Sequence, residues 1–248
     1  GTLVVAPARD MGELARFASR TSGYEWLNEG GIAKLEPSLA GRFRKGLFFP
    51  GEAHLDPRRS LQVLQKTLEA RGARFRFAAA DEYSTGDFDR VIDCTGSAAI
   101  GKLNQLRGVR GEMLHIETGE VALSRPVRLL HPRHPVYVIP RVPGRFMVGA
   151  TMIESDADRP PTVRSLMELL NAAYAVHPAF GEAGVIEIGA GVRPAFPDNF
   201  PRVVRDGRVL NVNGLYRHGF LLAPAMAREV AGILTEPVVR QPMTGALQ

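Results

Sequence analysis

Short apolar runs separated by turn residues fill the middle of the chain and predict a series of strands. The runs are Met113–Glu117, Val127–Leu130, Val136–Pro140 and Phe146–Ala150. Val142-Pro143-Gly144 predicts a tight turn between the last two runs, which makes these two strands antiparallel neighbours. This part of the chain is therefore predicted to form an antiparallel sheet.

Longer segments carry apolar residues on one face at the helical period and predict helices. The clearest is Arg58–Ala70, because Asp56-Pro57 supplies a cap residue followed by proline at the first helical position. Asp10 is expected to cap a helix over Met11–Arg20, and a further helix is predicted over Thr162–Val176. In that last helix, the residues expected to face a core are Leu166, Met167, Leu169, Leu170 and Ala173.

The remaining patterns predict βα units. The helix after Asp56 is followed by strands predicted at Ala73–Ala79 and Phe88–Cys94, an order typical of a parallel sheet. A strand at Val209–Val212, a glycine turn and an apolar helix to about Leu234 predict a closing βα unit. The other predicted elements are strands at Gly1–Ala6, Leu47–Pro50 and Val185–Ile188, and a short helix or turn at Glu25–Lys34.

The two kinds of pattern are interleaved along the chain. The predicted fold class is α/β plus antiparallel sheet, in two domains that are each made from separated pieces. Residues 1–48 and 110–188 are assigned to the antiparallel domain, and residues 49–109 and 189–248 to the α/β domain.

The composition and charge of the chain argue against several classes of protein. The chain has 248 residues, of which 45% are hydrophobic and 23% charged, as expected of a globular protein with a substantial core. No run approaches the roughly 20 apolar residues of a membrane span. The single cysteine, Cys94, excludes an internal disulfide and fits a reducing compartment, so a cytoplasmic location is expected. The net charge of +5 comes from scattered arginines without basic blocks, which argues against nucleic-acid binding and favours small anions.

The stretch Asn211–Pro224 carries the strongest chemical signal. Gly214 and Gly219 bracket Leu215–His218 in a strand-to-helix turn, where a glycine backbone can approach a flat or anionic group closely. Arg217 adds a permanently charged fork of donors. The alternative is an ordinary C-terminal βα unit with Arg217 in solvent.

The motif G-x-Y-R-H-G-x-x-L-A-P in this stretch resembles the C-terminal flavin-contacting motif of the D-amino-acid oxidase superfamily. Within that superfamily it resembles the glycine oxidase branch that serves thiamine biosynthesis. The segments that agree in order and spacing are Gly51–Pro57, Asp93–Gly96, Val136–Arg141, Val148–Met152 and Ala190–Pro194.

The resemblance implies a two-domain D-amino-acid-oxidase-like fold, with the antiparallel domain holding the substrate and the α/β domain holding FAD. No G-x-G-x-x-G fingerprint occurs in the 248 residues, although it should follow the first strand of such a domain. The fold is therefore expected to be truncated at the N-terminus, corresponding to the C-terminal three-quarters of an oxidase. FAD is expected in the full-length protein, whereas this chain alone is expected neither to retain FAD nor to be active.

The resemblance also assigns roles to single residues. Arg193 would hold the substrate carboxylate with two parallel bonds, Tyr137 would reach the same carboxylate, Met152 would line the pocket, and Arg217 would lie between flavin and substrate. The residues expected to contact the flavin are Leu215, Tyr216, Arg217, His218, Gly219, Phe220 and Leu221. From the residues alone, Arg193 could instead pair with Asp198, Tyr137 could be a core or half-buried strand residue, and Met152 could be ordinary core.

Two histidine-containing positions receive no catalytic role. His218 stands where other members of the superfamily have asparagine, so a structural or flavin-edge role is expected. His131-Pro132-Arg133-His134 is interpreted as a surface turn because no cysteine or carboxylate stands at metal-ligand spacing, and no metal is expected. Pro135 stands where a close family member has histidine, which leaves the substrate preference open.

The resemblance implies oxidative deamination of glycine or small D-amino acids. The products would be the imine or keto acid, ammonia and hydrogen peroxide, with dioxygen as the second substrate. The protein is expected to form a homo-oligomer, and thiazole-synthesis enzymes are expected as its partners. A sarcosine-type amine oxidase and a flavin-free carboxylate-binding domain are the alternatives.

Overall fold

The computed structural model describes residues 1–77, 88–131 and 135–235. The chain divides into one unit formed by Gly1–Phe77 and Val109–Val192 and a second formed by Ala78–Gly108 and Arg193–Gln248. In chain order, the elements are β1 (Thr2–Val5), α1 (Met11–Ala18), β2 (Glu25–Asn28), α2 (Glu29–Leu35), β3 (Lys45–Phe49), α3 (Pro57–Ala70), β4 (Val91–Asp93), β5 (Arg107–Glu117), β6 (Val127–Leu129), β7 (Val136–Pro140), β8 (Arg145–Gly149), β9 (Ile153–Glu154), α4 (Val163–Val176), β10 (Gly184–Ala195), β11 (Arg202–Asp206), β12 (Val209–Asn213) and α5 (Gly219–Thr235).

A nine-stranded sheet forms the centre of the first unit. Its strand order is β10-β5-β8-β7-β6-β1-β3-β2, and β9 pairs with β5. The pairs β5–β8, β6–β7 and β7–β8 are antiparallel, as predicted, whereas β1 and β6 run parallel. The predicted turn between β7 and β8 is closed by a bond from the Arg145 N–H to the Val142 carbonyl (2.9 Å).

The two faces of this sheet are covered by different helices. Val136 and Val138 of β7 are buried in a core that includes Leu169 and Ala173 of α4. On the opposite face, Leu14 of α1 packs in a second core with residues of β1 and β3. Because side chains alternate along a strand, residues such as Tyr137 between the two buried valines belong to the face opposite α4.

The α4 helix begins as predicted but is rotated from the predicted orientation. Thr162 caps it by accepting a bond from the Ser165 N–H (3.3 Å). Leu169 and Ala173 are buried as expected, whereas Met167 (59% exposed) and Leu170 (38% exposed) are not. The buried positions repeat at Ser165, Leu169, Ala173 and Val176, a narrower stripe than the apolar pattern predicts.

Three further predictions need correction. Asp10 makes no side-chain cap bond to α1. The predicted helix or turn at Glu25–Lys34 is divided into β2, which pairs with β3, and α2, which Asn28 caps through a bond from the Gly31 N–H (2.8 Å). Residues 73–77 are not a strand, and the rest of the strand predicted at Ala73–Ala79 lies outside the described residues.

The α3 helix starts as predicted, with the Asp56 carboxylate accepting from the Arg59 N–H (3.0 Å). It belongs to the first unit, although the sequence assigned residues 49–77 to the α/β domain. Within this unit, Arg58 is ion-paired with Glu187 of β10 through two bonds, one of them 2.8 Å. The roles assigned to the two domains stay predictions.

The second unit contains a three-stranded sheet in the order β11-β12-β4. Its β12 and β4 strands are parallel, and α5 packs Met226 and Val230 against Leu210 and Val212 of β12. The closing βα unit predicted from the sequence is therefore confirmed. Among the described residues, no helix has the length and apolar character that crossing a membrane requires.

Candidate active site

The parallel strands β4 and β12 end at the same edge of the sheet in the second unit. Asn213, the last residue of β12, is buried. Its side-chain amide donates to the Gly96 carbonyl in the turn after β4 (3.0 Å), and its side-chain oxygen accepts from the Gly214 N–H (2.8 Å). One buried amide therefore fixes the two turns that follow the two strands.

The turn after Asn213 has little freedom to change. Gly214 has a φ of 82°, and a Cβ at this position would collide with the Phe196 ring. Tyr216 also has a positive φ (50°), which is uncommon for a residue with a side chain. Its N–H is bonded to the Pro194 carbonyl (3.1 Å). Strained backbone of this kind is found preferentially at functional sites.

Replacing Gly214 by alanine is expected to lower the free energy of unfolding by about 1–3 kcal/mol, because alanine disfavours this φ and meets the Phe196 ring. Gly232, inside α5 with open space around it, is the matched control. Gly232→Ala should stabilise the protein by about 0.5–1 kcal/mol. Urea unfolding of both variants tests this, and equal effects would contradict the role given to the turn.

The predicted flavin-contacting residues lie together where this turn meets α5. Leu215, Tyr216 and Gly219 are half-buried, whereas the residues with exposed side chains are Arg217, His218, Phe220 and Leu221. Sheets with parallel strands bind ligands at the carboxyl ends of those strands, and the first N–H groups of a helix favour negative charge. The arrangement suits the edge of a flat, electron-rich ring system, and the flavin contacts stay a prediction.

Arg193, near the end of β10, is half-buried in the same unit. Burial lowers the pKa of its guanidinium, and the nearby charge of Arg217 lowers this pKa further, against an opposing effect of Tyr216. The Asp198 carboxylate, the alternative partner suggested by the sequence, accepts instead from Arg202 (2.8 Å) and from the Phe200 N–H (3.1 Å). Two neighbouring guanidinium groups, one of them partly desolvated, favour the binding of an anion.

Tyr137 lies on β7 in the first unit, half-buried on the sheet face opposite α4. Its neighbours across the sheet are Arg128 on β6 and Gly149 on β8. Its ring lies 5.1 Å from the Arg128 guanidinium carbon. The space that a side chain at Gly149 would need is occupied by Met113, whose Cβ lies 3.1 Å from that position.

Met152 is 46% exposed, so it is not ordinary core. It lines a cavity of about 470 Å³ in the first unit. The residues around this cavity are Pro135, Val136, Ala150, Thr151, Met152, Ile153, Arg159, Thr162, Arg164, Ser165, Glu168 and Leu169. Tyr137 is not among them, so the structure does not bring the two predicted pocket residues of this unit into one cavity.

A buried ion pair beside this cavity was not found from the sequence. Arg110 and Glu112 on β5 are both fully buried and bonded to each other (2.7 Å). Arg110 also donates to the carbonyls of Ala157 (2.7 Å), Arg159 and Pro160 (3.0 Å). Glu112 accepts from the Thr162 N–H (2.8 Å). The pair therefore holds the loop before α4, and the only sequence signal is two charged residues in an otherwise buried strand.

Arg128 was also missed, and it stands between the buried Val127 and Leu129. A charged residue between two apolar strand residues is the pattern of a side chain opposite the core. No metal-binding group of three or more histidine, cysteine or acidic side chains occurs within residues 1–77, 88–131 and 135–235. Of the turn predicted at His131–His134, residues 132–134 lie outside the described residues.

Comparison with known proteins identifies relatives over nearly the whole chain. The sequence profile of the DAO family, described as FAD dependent oxidoreductase, matches residues 1–233. The chain is 69% identical to a thiamine biosynthesis oxidoreductase, ThiO, of Rhizobium etli, over 95% of this chain and 72% of that protein. It is 29% identical to a glycine oxidase of Bacillus licheniformis, over 86% of this chain and 63% of that protein.

Two further relatives bear on fold and partners. The crystal structure of glycine oxidase from Geobacillus kaustophilus superposes with a TM-score of 0.73 at 20% identity, over 94% of this chain and 70% of that one. A bifunctional ThiO/ThiG protein of a Nostoc species is 24% identical, over 85% of this chain and 35% of that protein. The structural match confirms the D-amino-acid-oxidase-like fold class that the resemblance implies.

Proposed function

Since the chain belongs to the DAO family of FAD-dependent oxidoreductases, we propose that the complete protein oxidises glycine or another small amino acid at its amine-bearing carbon. The relatives named above include a glycine oxidase and a thiamine biosynthesis oxidoreductase, which supports this substrate class. The amino acid, dioxygen and water would be converted to the keto acid, ammonia and hydrogen peroxide. For glycine, the keto acid is glyoxylate.

The observation that carries the proposal is the second unit's combination of Arg193 with the turn from Asn213 to Leu221. Arg193 is half-buried, and the positive charge of Arg217 is close enough to lower its pKa. The turn ends at the start of α5, and the two parallel strands β4 and β12 end beside it. A guanidinium suits a carboxylate because it can donate two parallel hydrogen bonds. We assign to Arg193 the carboxylate of the amino acid. The resemblance assigns substrate contacts to Tyr137 and Met152 of the first unit as well.

The residues of the turn fit the flavin end of FAD. Their backbone comes to the surface between Tyr216 and Leu221, and Arg217 contributes an exposed positive charge. FAD, when bound, would supply the acceptor for the hydride of the amino acid and the reductant for dioxygen. The chain's own contribution would be to orient the carboxylate and to stabilise negative charge at the edge of the ring through backbone N–H groups and Arg217.

The 248 residues alone are expected to hold no stoichiometric FAD, because the sequence contains no G-x-G-x-x-G turn for the pyrophosphate. The test is to mix the purified chain with excess FAD, desalt it, and measure bound flavin by visible absorbance and peroxide release with glycine. The control is a longer polypeptide in which a unit with a G-x-G-x-x-G turn is joined ahead of Gly1. Stoichiometric flavin on the 248-residue chain would contradict this expectation.

The longer polypeptide also tests the proposed activity. Peroxide release with glycine, sarcosine and D-alanine separates a glycine oxidase from a sarcosine-type amine oxidase. A polypeptide that binds small carboxylates but holds no flavin in any form would support the flavin-free binding domain instead.

The partners belong to the same proposal. The ThiO/ThiG relative carries two named activities in one chain, which supports thiazole-synthesis enzymes as partners of this protein. Four apolar residues of α3 are between 46% and 58% exposed and could be covered by a longer polypeptide or by a second copy; they are Leu61, Val63, Leu64 and Leu68. If a second copy covers these residues, the 248-residue chain forms a homo-oligomer. The single cysteine supports a cytoplasmic location.

A further inference from the structure

The cavity of about 470 Å³ beside α4 is large enough for a small molecule, and all its lining residues belong to the first unit. Val136 and Leu169, which line it, are buried in the core between the sheet and α4. The cavity therefore lies on the α4 side of the sheet, whereas Tyr137 belongs to the opposite face. The substrate contact that the resemblance assigns to Tyr137 does not account for this cavity.

The buried pair of Arg110 and Glu112 fixes the walls of the cavity. Arg110 holds the loop before α4 by donating to three carbonyls, one of which is that of Arg159. Glu112 accepts from the Thr162 N–H at the start of α4 (2.8 Å). The Glu112 N–H also donates to the Thr151 hydroxyl (2.9 Å), and the Thr151 N–H donates to the Glu112 carbonyl (3.1 Å). A site whose walls are held in place before a ligand arrives loses less entropy on binding.

Two arginines on these walls are available to a ligand. Arg159 in the loop and Arg164 in the first turn of α4 line the cavity, and both are exposed. Within the part of the chain that the structure describes, neither side chain forms a hydrogen bond or an ion pair. In contrast, the exposed side chains of Arg16, Arg58 and Arg145 are each paired with a carboxylate. Two unpaired guanidinium groups at one cavity favour the binding of an anion.

The rest of the lining indicates what kind of anion fits. Val136, Met152 and Leu169 give the cavity an apolar wall, which suits a ligand with an uncharged body. Glu168 is the acidic residue of the lining, and the two arginines outweigh its charge. A phosphate monoester carries about 1.5 to 2 negative charges at pH 7 and three acceptor oxygens. It can therefore accept hydrogen bonds from two guanidinium groups at once.

We infer that this cavity binds a small phosphate monoester with an apolar or aromatic body, and that Arg159 and Arg164 hold its phosphate. The apolar wall packs against the body of the ligand. The site gives the protein a second ligand besides the amino acid of the proposed function. Its occupation can be measured without following oxidation.

The probe is phenyl phosphate, and its dissociation constant is measured by isothermal titration calorimetry with the full-length protein at constant ionic strength. Arg159→Gln and Arg164→Gln should each weaken binding by about tenfold, because each removes a charge-assisted contact to the phosphate. Arg164→Lys should recover only part of the loss. Inorganic phosphate lacks the apolar body and benzoate carries a single negative charge, so both should bind more weakly than phenyl phosphate.

Two further variants show whether the probe occupies this cavity. Arg20→Gln is the matched control, because it removes an exposed arginine of the first unit that does not line the cavity, and it should leave the dissociation constant unchanged. Glu168→Gln removes the negative charge from the lining and should strengthen binding of phenyl phosphate. Weaker binding in Glu168→Gln would contradict the proposed position of the phosphate.

The outcomes separate the site from its ligand class. No saturable binding of phenyl phosphate to the wild type would overturn the inference, as would a dissociation constant that neither arginine variant changes. Inorganic phosphate or benzoate binding as tightly as phenyl phosphate would overturn the assignment to a phosphate monoester with an apolar body. Phenyl phosphate binding that depends on both Arg159 and Arg164 would support the site, whether or not the protein oxidises glycine.

Discussion

Replacing Arg193 by alanine is expected to weaken the binding of the amino-acid substrate by about 2–4 kcal/mol, or roughly 30-fold to nearly 1000-fold. Burial and the charge of Arg217 both lower the pKa of Arg193, so its charged form is less favourable than in water. A substrate carboxylate would relieve both effects. Without the Arg193 guanidinium, the carboxylate would be desolvated and would lose the partner that donates two parallel bonds to it.

The measurement is the substrate KM together with the dissociation constant of a non-reacting carboxylate, in the full-length flavin-loaded protein. Arg193→Lys should recover only part of the loss, because an ammonium cannot donate two parallel bonds in one plane. Arg205→Ala, which removes an exposed arginine from β11 of the same unit, is the control. Unchanged affinity in Arg193→Ala would show that the carboxylate is held elsewhere.

Elements with a local cause could be predicted from the sequence. The helix after Asp56 begins with a cap and a proline, and the helix after Thr162 begins with a capping threonine. The turn at Val142–Gly144 depends on its own residues. These signals act within a few residues, and the structure has the elements where they were expected.

Elements decided by distant partners could not be predicted. Residues 25–28 are a strand because β3 lies beside them, and nothing in their own pattern favours that over a helix. Met167 and Leu170 are apolar at helical spacing, yet the position of the sheet decides which side of α4 is buried. The neighbouring element decides which face of a helix is buried, whereas the spacing of apolar residues only limits which faces are candidates.

The same distinction between local and distant causes applies to the residues of the candidate site. The turn around Gly214 could be found because its motif is continuous in the sequence and the backbone geometry requires glycine there. Arg128 could not be found, because the aromatic rings that its guanidinium contacts, Phe17 and Tyr137, are distant in sequence. The same is true of Arg110, whose carbonyl acceptors lie about 50 residues away.

Breaking the buried pair between Arg110 and Glu112 is expected to cost about 3–5 kcal/mol of unfolding free energy, because either single replacement leaves a buried group without its partner. Arg110→Met leaves Glu112 with its charge uncompensated. Glu112→Gln leaves the arginine charged and buried. Either loss is large beside the 5–15 kcal/mol that stabilises a typical domain.

The double variant Arg110→Met/Glu112→Leu separates the contribution of the charges to stability from that of the hydrogen bonds. Replacing both members of a buried pair by apolar residues is often neutral, since no unpaired charge remains. Here the carbonyls of Ala157, Arg159 and Pro160 would still lose their donor. The double variant should therefore recover only part of the loss, and full recovery would contradict the role of Arg110 in holding the loop.

The pH dependence of stability provides an independent test of the same pair. Burial by itself raises the pKa of Glu112, but the bonds from Arg110, from the Thr162 N–H and from Ser165 together lower it below its usual value. A carboxyl with a lowered folded-state pKa stabilises the protein above its unfolded-state pKa of about 4.3, and this contribution is lost as the pH falls through the folded-state value. Urea unfolding across this acid range should therefore show the free energy of the wild type falling more steeply than that of Glu112→Gln. Parallel curves would mean that Glu112 titrates alike in the folded and unfolded states, and that the pair does not hold the loop as a charged unit.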